Sequence, residues 1–508
     1  MASVFDPIRQ HADATPENIA LRGGPPGAEP DLWTYRRLRD AALRYGAELR
    51  AVGVTAGDRV LLVAPSVPEF VVAYMGIQVA GGVAVTINTM STRAEAEYVL
   101  ADARCSLAIV WHELGPGVAD AAAGAEIPTW TLSPGAMVSG DGGPAEVADR
   151  DPEDTAAILY TSGTTGRPKG AQLTVSNLLS AGEIASEVSR GTSADRTGTG
   201  LPLFHVFGQA SVMMASFVSG GSMSLLARFD PEAMLDMLRR DQLTLMSGVP
   251  TMWNAMLHTA ARDTDTTDFA RLRIAVSGGA SLPGEIARAF EARFGCTILE
   301  GYGLTETTAL GTFNDIDRGA KIGSTGRAVP RTQIEVRDAD GKVCPADAVG
   351  EVFIKGATVM KGYWNRPEDT AAVLSADGWF RTGDLGLLDP DGDLRIVDRL
   401  KDLIIRGGYN VYPGEVEEVL YGHPDIVEAA VIGVPHEHYG EEVAAVVTTR
   451  AGAELDGPSV TSWARERLSA YKIPRIVAFV DALPKGPSGK ILKRSIDRST
   501  LIARKEDA

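Results

Sequence analysis

The chain has 508 residues, 44% hydrophobic and 23% charged, an ordinary balance for a folded protein, and its length predicts two to four folded units in place of one core. Its 49 Lys and Arg against 66 Asp and Glu leave a formal charge of −17, which speaks against nonspecific binding to nucleic acid or to an anionic membrane and leaves a small-molecule substrate open. Three widely spaced cysteines, Cys105, Cys296 and Cys344, offer neither a disulfide framework nor a Cys-x-x-Cys metal spacing.

The start, Met1 to Pro7, has no charged n-region or apolar h-region, so no secretory signal is expected, and with the cysteine pattern this points to the cytoplasm. From Arg59 to Trp111 the pattern alternates: strand at Val60–Val63, helix at Pro68–Ala80, strand at Val83–Ile87, helix at Arg93–Ala103, strand at Leu107–Val110. The apolar run Phe70–Ile87 is broken by Gln78 and Gly81-Gly82, so it reads as a helix followed by a buried strand and no integral membrane segment is expected. Gly115–Glu146, rich in Gly, Pro and Ala, reads as a surface connection without chemistry.

The alternation returns in Arg273–Val276, Pro283–Phe294 and Cys296–Leu299, so parallel sheets with helices on both faces are predicted. Between Val329 and Val397, short strands with Asp-Gly turns suggest an antiparallel β subdomain. Beyond the charge cluster Asp398–Asp402 a small α+β unit is expected. Its helices are predicted at Gly414–Gly422 and Pro458–Ala470, and its strands at Ala429–Val434, Glu442–Thr448 and Ile476–Val480. His436-Glu437-His438 reads as a solvated loop and is given no role.

The stretch Tyr160-Thr161-Ser162-Gly163-Thr164-Thr165-Gly166-Arg167-Pro168-Lys169-Gly170 follows an apolar strand pattern, Ala156–Leu159. Its glycines let backbone N–H groups turn toward an anion, its hydroxyls add neutral donors and Lys169 adds charge, a composition suited to a polyphosphate. It is not the Gly-Lys-Ser/Thr phosphate loop, because Lys169 lies between Pro168 and Gly170. By composition alone a surface turn is an equal reading.

Almost letter for letter, the stretch resembles the phosphate-binding signature of the acyl-adenylate-forming (ANL) superfamily: acyl-CoA synthetases, peptide-synthetase adenylation domains and firefly-type luciferases. The resemblance continues in order through Gly301-Tyr302-Gly303-Leu304-Thr305-Glu306, Thr382-Gly383-Asp384 and the loop Leu483–Arg494 with Lys490. It implies a large N-terminal domain of doubly wound α/β sheets with a β subdomain (1–397), a hinge (398–402) and a small mobile α+β C-terminal domain (403–508). It also implies ATP, Mg²⁺ and CoA as co-substrates and cofactors for activation of a carboxylic acid, through an acyl-adenylate to a thioester. The alternatives are an acyl-AMP synthetase that stops at the adenylate or hands it to an acyl carrier protein or partner ligase, and a luciferase-type oxygenase.

Carried over residue by residue, the resemblance assigns Thr161, Ser162, Gly163, Thr164, Thr165 and Lys169 to the phosphates and Gly279 and Ala280 to the wall between adenine and acyl group. It assigns Gly301, Tyr302 and Gly303 to the adenine, Thr305 to the α-phosphate region and Glu306 to Mg²⁺. Asp384 with Arg399 would take the ribose, His205 would gate the carboxylate's approach, and Lys490 would grip carboxylate and α-phosphate during adenylation. Lys401 matches the pivot, and Gly407 and Gly408 the glycine face of the pantetheine tunnel. The acyl pocket is expected from His205–Met214, Gly248–Thr251, Ser277–Ala280 and Thr305–Gly311. No Arg or Lys lies in these segments, which disfavours malonate-like diacids.

Overall fold

The computed structural model describes residues 3–24, 27–135, 144–161, 167–259, 269–486, 488–498 and 501. Strand Arg59–Val63 shows how sequence pattern becomes layer. Its side chains alternate, so Val60 and Leu62 pack with the helix Pro68–Ala80, whereas Leu61 and Val63 pack with the helix Arg93–Ala103 on the other face. A strand segment buried on both faces must be apolar, and after Arg59 the run Val60–Val63 is. Pro68–Ala80 is apolar on all sides and buried at every position but Glu69, the pattern of a central helix. Each large side chain so buried contributes about 1.5–3 kcal/mol. Arg93–Ala103 opens on a capping box between Thr92 and Glu95.

Seven strands form one sheet in the spatial order Gly362–Tyr363, Lys169–Thr174, Thr155–Thr161, Val83–Thr86, Arg59–Val63, Cys105–Trp111 and Thr129–Leu132. Its centre is parallel and the first two strands run antiparallel. The stretch expected to be a bare surface connection contributes here. Gly117–Gly124 is a helix and Thr129–Leu132 pairs in parallel with Cys105–Trp111, because Val118, Ala121, Ala122 and Leu132 supply an apolar face that composition alone concealed. Residues 136–143 of that stretch lie outside the described residues.

A second sheet of nine strands has a parallel core in which Leu245–Gly248, Ile274–Gly278 and Thr297–Tyr302 lie side by side. Their register aligns Gly248 with Ser277 and Gly278 with Gly301, so three loops leave one sheet edge together. The predicted antiparallel subdomain is a four-stranded sheet, Thr332–Arg337, Gly350–Gly356, Phe380–Leu388 and Leu394–Arg399.

The smaller C-terminal domain holds the last sheet: Tyr409–Val411, Ile404–Arg406, Gly440–Thr449 and Ile426–His436 in order, with Ile476–Phe479 parallel to Gly440–Thr449. Its helix Gly457–Arg465 is shorter than the predicted Pro458–Ala470. Of residues 398–402, Asp398 and Arg399 remain paired with Leu385 and Asp384, and the chain turns at Leu400–Asp402.

Candidate active site

Ligands of open α/β sheets gather beyond the carboxyl ends of the strands, and here the carboxyl ends of both large sheets face one cleft of about 1950 Å³. Thr86 and Thr161 come from one sheet, Val249, Gly279 and Tyr302 from the other, Asp384 and Arg399 from the antiparallel sheet, and Lys490 from the C-terminal domain. Thr161 is the last residue of its strand and pairs with Lys169, the first of the returning strand. The expected phosphate loop therefore connects two paired antiparallel strands. Ser162, Gly163, Thr164 and Thr165 lie outside the described residues. The Lys169 ammonium is hydrogen-bonded to Asp369 and lies 5.3 Å from the Tyr363 ring centroid.

Glu306 is buried, and its Oε1 accepts hydrogen bonds from Tyr363 Oη at 2.8 Å and Thr161 Oγ1 at 3.2 Å. Thr305, beside it, lines the cleft. The preceding turn demands glycine at 303, where a Cβ would stand 2.2 Å from the backbone of Ala309. Tyr302 Oη donates to Asp384 Oδ2 at 2.6 Å, while Arg399 Nε lies 3.3 Å from Asp384 Oδ1. Burial raises the pKa of Asp384, partly opposed by Arg399, Tyr302, Lys401 and Lys490. Gly301, Gly303, Ala280 and Lys401 also line the cleft; Gly407 and Gly408 do not, and form an exposed turn in the C-terminal domain.

Lys490 lies against Gly279, where a Cβ would stand 2.7 Å from Lys490 Cε. Glycine is required there twice over, because its φ is +83°. The ammonium makes no ion pair with any described carboxylate, and burial, with a further push from Arg399, lowers its pKa to about 8 against the pull of Asp384. His205 has its pKa pushed down to about 3 by burial and by Lys490. It is thus a neutral imidazole across the physiological range. Its Nδ1 accepts from Phe207 N–H at 3.3 Å, which leaves Nε2 to carry the hydrogen.

Three features of this cleft escaped the sequence reading. Tyr363, which holds Glu306, sits in an unremarked strand of two residues. Glu300, one residue before the Gly301 motif, is buried with its pKa raised to about 8 by burial, and accepts from Leu282 N–H at 3.0 Å. The cleft is also lined by Ala185, Val188, Ala215 and Leu245, from segments that carry no motif. His436 Nδ1 accepts from His438 N–H and Tyr439 N–H and so closes a turn. Among the described residues three carboxylates do cluster, Asp389, Asp391 and Asp393, but the Lys321 ammonium is bonded among them. No described helix is long and apolar enough to cross a membrane.

Two large α/β sheets, a cleft along their strand ends and a lysine delivered into it from the small C-terminal domain form one site. Residues 8–364 match the family described as AMP-binding enzyme and residues 415–490 its C-terminal domain. Feruloyl-CoA synthase from an Amycolatopsis species is 38% identical over 504 residues, with 97% of this chain and 98% of the relative covered. A long-chain-fatty-acid–CoA ligase of Bacillus subtilis is 36% identical, covering 91% of this chain and 89% of its own. The crystal structure of ATP-bound MatB from Rhodopseudomonas palustris matches with a TM-score of 0.91 at 35% identity, over 100% of both chains. The chain belongs to the AMP-binding enzyme family, as an AMP-forming acyl-CoA ligase.

The charge state of Lys490 gives a pH expectation. A lysine lowered to about 8 is protonated below that pH and loses its charge as pH rises through it. kcat/KM for ATP–pyrophosphate exchange, which reports the free enzyme, should therefore fall above about pH 8, while neutral His205 contributes no limb between pH 5 and 8.

Proposed function

We propose that the enzyme activates an apolar aliphatic or aryl carboxylic acid with MgATP and transfers the acyl group to coenzyme A. The observation that carries this reading is the half-buried Lys490 ammonium, without a carboxylate partner, at the wall formed by Gly279. Such a charge calls for an anion. The acid's carboxylate attacks the α-phosphorus of ATP; the bond to the bridging oxygen breaks, and pyrophosphate leaves with the electron pair. No protein nucleophile is needed, so the chain contributes position and countercharge.

In this reading Thr161, Lys169 and the loop between them hold the triphosphate, Thr305 the α-phosphate region, Tyr302 the adenine and Asp384 with Arg399 the ribose. Glu306 suits a hard divalent cation: one of its oxygens is steadied by Thr161 and Tyr363 within the cleft. Mg²⁺ bound there with the phosphates would neutralise their charge. His205, neutral and aimed by Phe207, supplies a donor that does not compete with Lys490 for the carboxylate. The acyl group lies against Phe207, Val212, Ala215, Val276 and Leu304, which form an apolar wall suited to an aryl or alkyl chain. A cytoplasmic setting, where ATP and CoA are supplied, accords with the cysteine pattern.

For the second step the C-terminal domain pivots at Lys401 and brings Gly407 and Gly408 to the cleft. The CoA sulfur attacks the acyl carbon, and AMP leaves with the electron pair of the carbon–oxygen bond. The test is pyrophosphate release over benzoate, ferulate, octanoate, palmitate and a bicyclic terpenoid acid, with and without CoA. Release with an aryl or alkyl acid, increased by CoA, is expected. Release with none of them would end the proposal.

Lys490→Ala should abolish ATP–pyrophosphate exchange while a supplied acyl-AMP is still converted to thioester; unchanged exchange would refute the assignment. Lys401→Pro should do the reverse, retaining exchange and losing thioesterification, and equal loss of both would remove the pivot from Lys401.

A further inference from the structure

The hairpin that carries Lys490 is shaped by its own backbone but placed by the other domain. Gly486 N–H donates to the Lys490 carbonyl and Leu492 N–H to the Pro484 carbonyl, both at 2.7 Å. These bonds close the turn and leave its position on the large domain open. The helix Pro250–Thr259 settles that position. Thr251 Oγ1 donates to the carbonyl of Gly489, the residue before Lys490, at 2.7 Å. Three residues further along, Asn254 Nδ2 donates to the Val427 carbonyl at 3.0 Å. Residues three apart share a helix face, so one face of one helix holds the C-terminal domain at two separated points.

The fit at the first point is close. Gly489 has φ +82°, and a Cβ there would come within 3.1 Å of both Thr251 Oγ1 and Val249 Cγ2. Asn254 is buried, so an undocked domain exposes its amide to water and a docked one must satisfy it. A third bond crosses nearby, where Glu418 Oε1 accepts from Gly284 N–H at 3.0 Å, at the start of the helix Gly284–Phe294. That helix has no side-chain cap of its own at Pro283, so the C-terminal domain provides one.

We infer that Thr251 and Asn254 are positioning residues that seat the Lys490 hairpin for adenylation and have no part in thioester formation. The inference rests on the adenylation reading of Lys490. Neither side chain needs to touch the reacting atoms. Thr251 acts through the adjoining peptide, and a misplacement of the ammonium by about 1 Å is enough to cost a large part of the rate. Both donors address main-chain carbonyls through single neutral hydrogen bonds, weak enough to be released in each cycle.

The test uses the full-length enzyme and the acid of the panel that releases most pyrophosphate. Thr251→Val keeps the shape and removes the donor; Thr251→Ser restores it. Asn254→Ala, at a residue outside the lining of the cleft, is expected to lower kcat for ATP–pyrophosphate exchange about tenfold and to leave conversion of supplied acyl-AMP to thioester unchanged. Thr251→Val should lower exchange to a similar extent, with Thr251→Ser within about twofold of wild type. A second readout needs no acid. With MgATP alone, trypsin should cut the turn at Arg399 and Lys401 several-fold faster in Thr251→Val than in wild type, because the undocked domain leaves the turn free. Equal loss in both half-reactions, Thr251→Ser as impaired as Thr251→Val, or cleavage unchanged would overturn the inference. A wild-type enzyme that releases no pyrophosphate with any acid would instead overturn the functional proposal and leave the cleavage result to stand alone.

Discussion

An ammonium group drawn partly out of water without a carboxylate to meet it is an unstable arrangement, and the cleft is organised around that tension. Lys490 stands beside the bare backbone of Gly279, with Arg399 adding like charge and the acid that pulls on it, Asp384, already engaged by Tyr302 and Arg399. Burial lowers the lysine's affinity for its proton, and a bound polyanion would restore it. The same surroundings hold His205 neutral, so it adds no charge beside Lys490. The charge is useful because it is not satisfied at rest.

The folded framework allows that strain to be stored and released. Two large sheets turn their strand ends toward one cleft, which the antiparallel sheet and the small domain complete with Asp384, Arg399 and Lys490. The small domain has its own apolar core around Val416, Val431, Val443 and Val460, so it can remain folded wherever it sits. Its hold on the large domain includes a few single hydrogen bonds around the helix Pro250–Thr259 and the turn at Gly284. Charge placement is thereby separated from charge binding, the first belonging to the seam and the second to the cleft.

Much of this was legible in the chain. Helices Pro68–Ala80 and Arg93–Ala103 were read to the residue, because proline, a capping threonine and strict apolar patterning mark their ends. The motif residues Thr161, Gly279, Tyr302, Glu306, Asp384 and Lys490 line one cleft although more than three hundred positions separate the first from the last. What stayed hidden has a common cause. Tyr363, Glu300 and Asn254 matter through partners distant in sequence, and no local pattern announces a hydrogen bond that closes only on folding. The small edge strand Thr129–Leu132 was masked by the alanine- and glycine-rich composition around it, which carries an apolar face as readily as a loop.

The two contacts made by the helix Pro250–Thr259 reach peptide carbonyls, at Gly489 and Val427, and every amino acid supplies such a group. At Val427 the side chain can drift over evolutionary time without loosening the grip, whereas position 489 must stay glycine, because its φ is +82° and a Cβ would crowd Thr251 and Val249. At this helix the seam thus asks of the small lobe one glycine and two peptide carbonyls.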